Sequence, residues 1–148
     1  MKNQFAAEYA ESIKIRDQYR EAKASGNEAG MEAAKESRNQ FVISMMQKGE
    51  QYYAFYRQYA SAQDRGNTYI DCDTVIWDKD VETFLSGLRE CGIEKFTFSS
   101  RWSSAVETAW LFQKHGCKLE GLVEINGVSK CFDSDEYEKV HGYLFSVE

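Results

Sequence analysis

The chain changes its hydrophobic period at Asp64-Arg65-Gly66-Asn67, so no single regular element can run through that point. Before it, Phe5, Tyr9, Ile13, Arg16, Tyr19 and Ala22 return every three or four residues, the spacing that puts a stripe on one helix face. Gly26-Asn27, in A-S-G-N-E-A-G, then reads as a helix stop and a short turn. A second pattern begins at about Glu28 and continues through Met31, Ala34, Phe41, Met45, Tyr52, Phe55 and Tyr59. Unbroken, that arm would be about 57 Å long at 1.5 Å per residue. Gly49, in Q-K-G-E-Q, is where it should bend or break, because glycine costs about 1 kcal/mol relative to alanine inside a helix. Residues 1–66 are therefore expected to form a helical hairpin whose second arm is long.

After Asn67 the period shortens. Thr68 to Trp77, rich in β-branched and aromatic residues, reads as a strand. Asp80 to Gly92 reads as a helix, with Asp80 as N-cap, Val81, Phe84, Leu85 and Leu88 inward, and Gly92 as its stop. Lys95 to Ser99 is a short strand. Ser104 to Gly116 is a second helix, expected to bury Val106, Trp110 and Leu111. Leu119 to Ile125 is a strand, Asn126-Gly127 is a two-residue hairpin signal, and Val128 to Phe132 should return antiparallel. Tyr143 to Val147 supplies the last strand. Strands alternating with helices imply crossover connections. The expected fold is α+β: a long helical hairpin, then a small mixed sheet with two crossover helices at residues 67–148, docked on the hairpin.

Composition narrows the functions open to such a fold. The 148 residues suffice for one compact domain with an appendage. No run approaches the ~20 apolar residues of a membrane span, and M-K-N-Q-F-A-A-E-Y-A lacks a signal-peptide core, so a cytoplasmic location is expected. Four cysteines without a C-x-x-C pair fit reduced thiols in a cytosol. Charge is unevenly placed: residues 1–66 hold ten Lys or Arg against nine Asp or Glu, and residues 67–148 hold eight against fifteen. A net-negative surface disfavours direct nucleic-acid binding, which draws on a basic face. It suits a basic protein partner.

Two stretches carry candidate chemistry. In F-T-F-S-S-R-W-S-S-A-V-E-T-A-W, Ser104 and Glu107 stand in the S-x-x-E relation of a capping box. Ser99, Ser100, Arg101 and Ser103 remain, at the carboxyl end of a strand and facing a helix start, where anions are often held. The loop has no glycine to let a pyrophosphate approach, and the competing reading is a capped surface turn with Trp102 packed over it. The second stretch is I-D-C-D-T-V at Ile70 to Val75. It resembles the first motif of the haloacid-dehalogenase-like phosphotransferases. That resemblance implies Asp71 as nucleophile, Asp73 as general acid/base, Mg²⁺ held between them, and Ser99 as the serine ending the next strand. The sequence departs from the family in three ways: the strand should continue through Val75-Ile76-Trp77, no later G-D-x-x-x-D occurs, and no lysine is placed for the third motif. On the alternative reading the two acids decorate an edge strand and block edge-to-edge pairing. No cofactor motif is present, so none is expected.

His115, beside Gly116, reads as a cation at a helix C-terminus. Asp133 to Glu138 reads as a solvated loop or helix start, lacking the glycine and spacing of a calcium loop. Phe41, Met45, Tyr52, Tyr53 and Tyr56 exceed what two helices can hide between them, and are the expected contacts for a partner protein or for a homodimer through the long helix.

N-T-Y-I-D at 67–71, V-I-W-D-K-D-V at 75–81, F-T-F-S-S at 96–100 and A-W-L-F-Q-K-H-G-C-K-L-E-G-L-V-E-I-N at 109–126 carry a second resemblance. With a helical first half of similar length, the chain resembles an uncharacterised family of small proteins from gut Firmicutes and their conjugative elements and phages. The resemblance implies a cytoplasmic accessory protein of mobile DNA that acts on host or competing machinery, the anti-CRISPR or anti-restriction class included. The expected function is thus non-enzymatic protein binding, with Mg²⁺-dependent phosphotransfer or anion binding as the alternative.

Overall fold

A computed structural model describes residues 5–147, and the chain divides between Tyr56 and Arg57 into two compact units. The first contains α1 (Phe5–Ala24), α2 (Glu28–Gln47) and the start of α3 (Glu50–Asp64). α1 ends in a left-handed glycine, Gly26 at φ 69°, after which the Asn27 N–H returns to the Ala22 carbonyl at 2.9 Å. Asn27 then caps α2, its side chain accepting from the Gly30 N–H at 3.0 Å. The expected long arm is broken at Gly49, whose φ of 117° lies outside any helix; α3 restarts with the Tyr53 N–H on the Gly49 carbonyl.

Burial along α1 follows the periodic stripe with one shift. Phe5, Ile15 and Ala22 are buried while Arg16 is exposed. α2 buries Ala34 and Met45. Phe5 is the hub, meeting Tyr52 and Tyr56 edge-on at 5.0 and 5.9 Å, and Phe41 meets Tyr56 at 5.6 Å. The Glu8 carboxylate accepts from the Tyr52 hydroxyl at 2.8 Å and pairs with Lys48.

The second unit contains the rest of α3, β1 (Ile70–Cys72), α4 (Asp78–Glu90), β2 (Lys95–Phe98), α5 (Ala105–Lys114), β3 (Lys118–Lys130) and β4 (Tyr137–Ser146). Its sheet is mixed, in the order β1-β2-β4-β3. β1 and β2 are parallel, with Asp71 opposite Thr97, and β4 runs antiparallel to both of its neighbours. One sheet face is apolar. Phe96, Phe98 and Phe145 point from it into Phe112 of α5 at 5.1 to 5.4 Å, and Phe84 of α4 meets Phe96 at 5.7 Å. Both helices end in the same glycine device, with the Ile93 N–H on Leu88 after Gly92 and the Cys117 N–H on Phe112 after Gly116. Across α4 and α5, His115 places its ring nitrogens 3.1 Å from Asp78 and 3.1 Å from Glu82.

Five local expectations are corrected here. β1 stops at Cys72, and residues 73–77 form a loop fixed by the Thr108 hydroxyl, 3.4 Å from both the N–H and the carbonyl of Ile76. α4 starts at Asp78, capped by the backbone of Trp77 without a side-chain bond, so Asp80 lies in its first turn. The Ser104–Glu107 capping box does not form, because Ser104 sits at φ −90° and ψ 14° instead of the extended backbone that aims a cap hydroxyl at the first turn. α5 buries Thr108 and Phe112, leaving Val106 68% and Trp110 60% exposed. Asn126-Gly127 is no hairpin turn: a type I′ turn needs positive φ at both residues, and neither has it. β3 runs through the pair with an irregularity after Asn126, and the chain reverses at 131–136. Asn67 explains the difference. Its amide spans the Asn126 backbone, donating to the carbonyl and accepting from the N–H at 2.9 Å each, while the Asn126 side chain donates to the Arg65 carbonyl at 2.6 Å.

Candidate functional site

β1 and β2 end side by side, and alternation along a strand puts Asp71 and Asp73 on one face, together with Thr97 and Ser99 of the neighbouring chain segment. This is the face opposite the phenylalanine cluster. The Thr97 hydroxyl donates to one Asp71 carboxylate oxygen at 2.6 Å, and the Ser99 hydroxyl donates to the other at 2.7 Å. The Ser99 N–H in turn holds the Cys72 carbonyl at 2.9 Å. Gly142 on β4 permits this crowding, since a Cβ there would lie 2.9 Å from the Phe98 carbonyl oxygen and 3.3 Å from Ser99 Cβ.

These residues open on a cleft of about 260 Å³ whose walls include Arg65, Asp71, Asp73, Ser99, Arg101, Trp102, Ser129 and Glu138. Asp71 is half-buried there. Burial pushes its carboxyl above the usual range, against the pull of the Ser99 and Thr97 hydrogen bonds and of the Arg65 charge, and Asp73 adds to the rise. The adjacent Cys72 thiol is buried and pushed up to about 11, which keeps it protonated.

The sequence-derived candidates are distributed unevenly around this cleft. Asp71, Asp73, Ser99 and Arg101 come together on its walls. Ser100 instead accepts from the Trp102 N–H at 3.3 Å, a local turn contact, and Ser103 is exposed. Arg101 lies 3.8 Å from Glu138. An anion at Ser99 would therefore meet the Asp71 carboxylate before any free cation. Met45 and Tyr56 are buried in the first unit, and Phe41, Tyr52 and Tyr53 are half-buried. Tyr53 stacks on Tyr56 at 6.4 Å, and the Lys48 ammonium lies over the Tyr52 ring.

Sequence reasoning missed the exposed tryptophans. Trp77, Trp102 and Trp110 are 68%, 69% and 60% exposed, and they are all the tryptophans the chain has. Trp102, Val106 and Trp110 stand at intervals of four, so the two helical residues share one outer face of α5 and Trp102 stands just before it. That spacing is readable in the sequence, where it fits a buried stripe equally well.

Among the described residues no group of three or more His, Cys, Asp or Glu side chains is placed to hold a metal ion. None of their helices is long and apolar enough to cross a membrane. A family model described as a domain of unknown function (DUF7698) matches residues 54–147, and the chain belongs to that family. The matched span contains every cleft residue and all three tryptophans. No curated protein and no solved structure matches the chain.

Proposed function

We propose that this protein is a non-enzymatic binding protein whose α/β unit presents a tryptophan surface to a basic protein partner. The observation that carries the reading is the placement of Trp77, Trp102 and Trp110 at the surface while phenylalanines fill the interior. Exposing such large apolar side chains is costly unless something covers them, and tryptophan is among the residues that dominate binding hot spots. The negative balance of residues 67–148, eight cations against fifteen acids, draws a basic partner toward this half of the chain, while at Trp110 itself the Lys114 ammonium lies 5.4 Å from the ring centroid. With the resemblance noted above, the protein is a cytoplasmic accessory of a mobile genetic element, modulating host or competing defence machinery of the CRISPR or restriction kind. The test is capture from host cytosol followed by mass spectrometry, with wild type and Trp102→Ser/Trp110→Ser as baits. Wild type should retain a basic protein that the double variant loses; identical captures from both baits would reject the reading.

One observation favours the alternative of phosphotransfer. Parallel β1 and β2 bring Asp71 within 2.7 Å of Ser99, and the chain loops after Cys72 as the haloacid-dehalogenase-like pattern has it. Against it, no later G-D-x-x-x-D occurs and no lysine is placed for the third motif. Mg²⁺-dependent hydrolysis of a generic phosphate ester, lost in Asp71→Asn, would reverse the ranking.

A further inference from the structure

The cleft beside β1 shares Trp102 with the tryptophan surface, so whatever docks on one borders the other. Its charges are unequally satisfied. Arg101 is paired with Glu138 at 3.8 Å, and Arg65 gives its Nε–H to the Ser61 carbonyl at 3.2 Å. Neither Asp71 nor Asp73 forms an ion pair with a described cation. Asp71 is held at both oxygens by Thr97 and Ser99, at 2.6 and 2.7 Å, so its orientation is set before anything binds. Each oxygen keeps a further lone pair for a second donor. Two like charges on one face, one of them half-buried, are eased most by a cation brought from outside.

We propose that this cleft receives one basic side chain, a lysine ammonium or arginine guanidinium, of the partner protein that docks on Trp102 and Trp110. The proposal rests on the docking reading above and adds the chemistry of the contact. The volume of about 260 Å³ is room for a long side chain. The Trp102 indole at the rim supplies a face on which a cation rests. Charge complementarity selects the occupant: the unit carrying the cleft is strongly acidic, and on the cleft walls the carboxylates Asp71, Asp73 and Glu138 outnumber the guanidinium groups Arg65 and Arg101, of which Arg65 acts on Asp71 without forming an ion pair.

The experiment uses the full chain with Trp77→Phe and Trp110→Phe, which leaves Trp102 as the only tryptophan. Its fluorescence is followed during titration with N-acetyl-arginine amide, N-acetyl-lysine amide and, as neutral control, N-acetyl-norleucine amide. A saturable change with a cationic probe, absent with the control and weakened at least about tenfold by Asp71→Asn/Asp73→Asn, is the expected result. No saturable change with either cation, or an equal change with the control, overturns the proposal. So does a saturable response to Mg²⁺ that excludes both cations, which would make the two aspartates a metal site. The capture experiment separates the two readings. If Asp71→Asn/Asp73→Asn still retains the protein that Trp102→Ser/Trp110→Ser loses, docking stands and the cleft assignment falls. If cationic probes bind the cleft but capture ignores the tryptophans, the partner assignment falls.

Discussion

Asp71 shows how a residue's setting outweighs its type. An aspartate at the end of an edge strand would ordinarily be a solvated decoration. Here the β1–β2 register puts two hydroxyls on its oxygens and removes enough water to raise its carboxyl's affinity for protons. The sign of the effect on stability follows. A carboxyl raised in the folded state contributes stability that is fully present below the unfolded value of about 3.9 and is lost as pH rises through the higher folded value. At neutral pH the ionised group is therefore a cost to the fold. Asp71→Asn should raise Tm at pH 7 by an amount on the order of a few degrees and leave it unchanged near pH 3. Thermal melts at the two pH values check this; a lower Tm at pH 7 would mean that the hydrogen bonds to the carboxylate outweigh its desolvation. The D-x-D motif and Ser99 were legible in the sequence because their spacing is local. Thr97 as their partner was not, since it becomes visible only with the register.

Among the elements, legibility tracks how local the deciding interaction is. The breaks at Gly26, Gly49, Gly92 and Gly116 were readable because a left-handed or otherwise non-helical φ is a property of the residue itself. Asn126-Gly127 does not turn because a residue far along the chain, Asn67, takes up the Asn126 backbone groups and keeps β3 extended. α5 buries a face other than the one its spacing predicts because it has two apolar faces, and the tertiary partner, the ring cluster around Phe112, selects between them. One pair of substitutions separates local from tertiary control. Ser104→Ala should cost less than about 0.5 kcal/mol, below the usual range for losing a cap, because no cap bond exists to lose. Asn67→Ala should cost at least about 2 kcal/mol, because it strands a backbone N–H and a carbonyl of Asn126 in a partly buried site. Urea denaturation at constant m reads both; equal midpoint shifts would contradict the assignment of β3 to Asn67.

At the scale of the whole molecule, the two units differ in how much apolar surface holds them. The α/β unit centres on rings that touch from both helices and three strand positions, among them Phe96, Phe112 and Phe145 at 0 to 1% exposure. The hairpin is thinner: α1 buries Phe5, Ile15 and Ala22 along its length, and α2 buries Ala34 and Met45. Ile43 and Met46, one turn apart on α2, are 49% and 51% exposed. Helical backbone bonds alone give little stability in water, so the hairpin's distal turns depend on packing they mostly lack. Amides from about Ile15 to Arg38 should therefore exchange with solvent on the order of a hundredfold or more faster than those of β2 and β4, a difference hydrogen exchange resolves residue by residue. Concentration decides what equal protection would mean. If the distal amides are as slow as the sheet at high concentration and speed up on dilution, with light scattering reporting a falling mass, a second copy covers the arm, which is the homodimer alternative to a partner protein. If they stay slow at every concentration, the thin packing is sufficient by itself and the predicted ranking of the two units is wrong. Fast exchange at every concentration, the expected result, makes the hairpin the less stable of the two units, set by its thin packing.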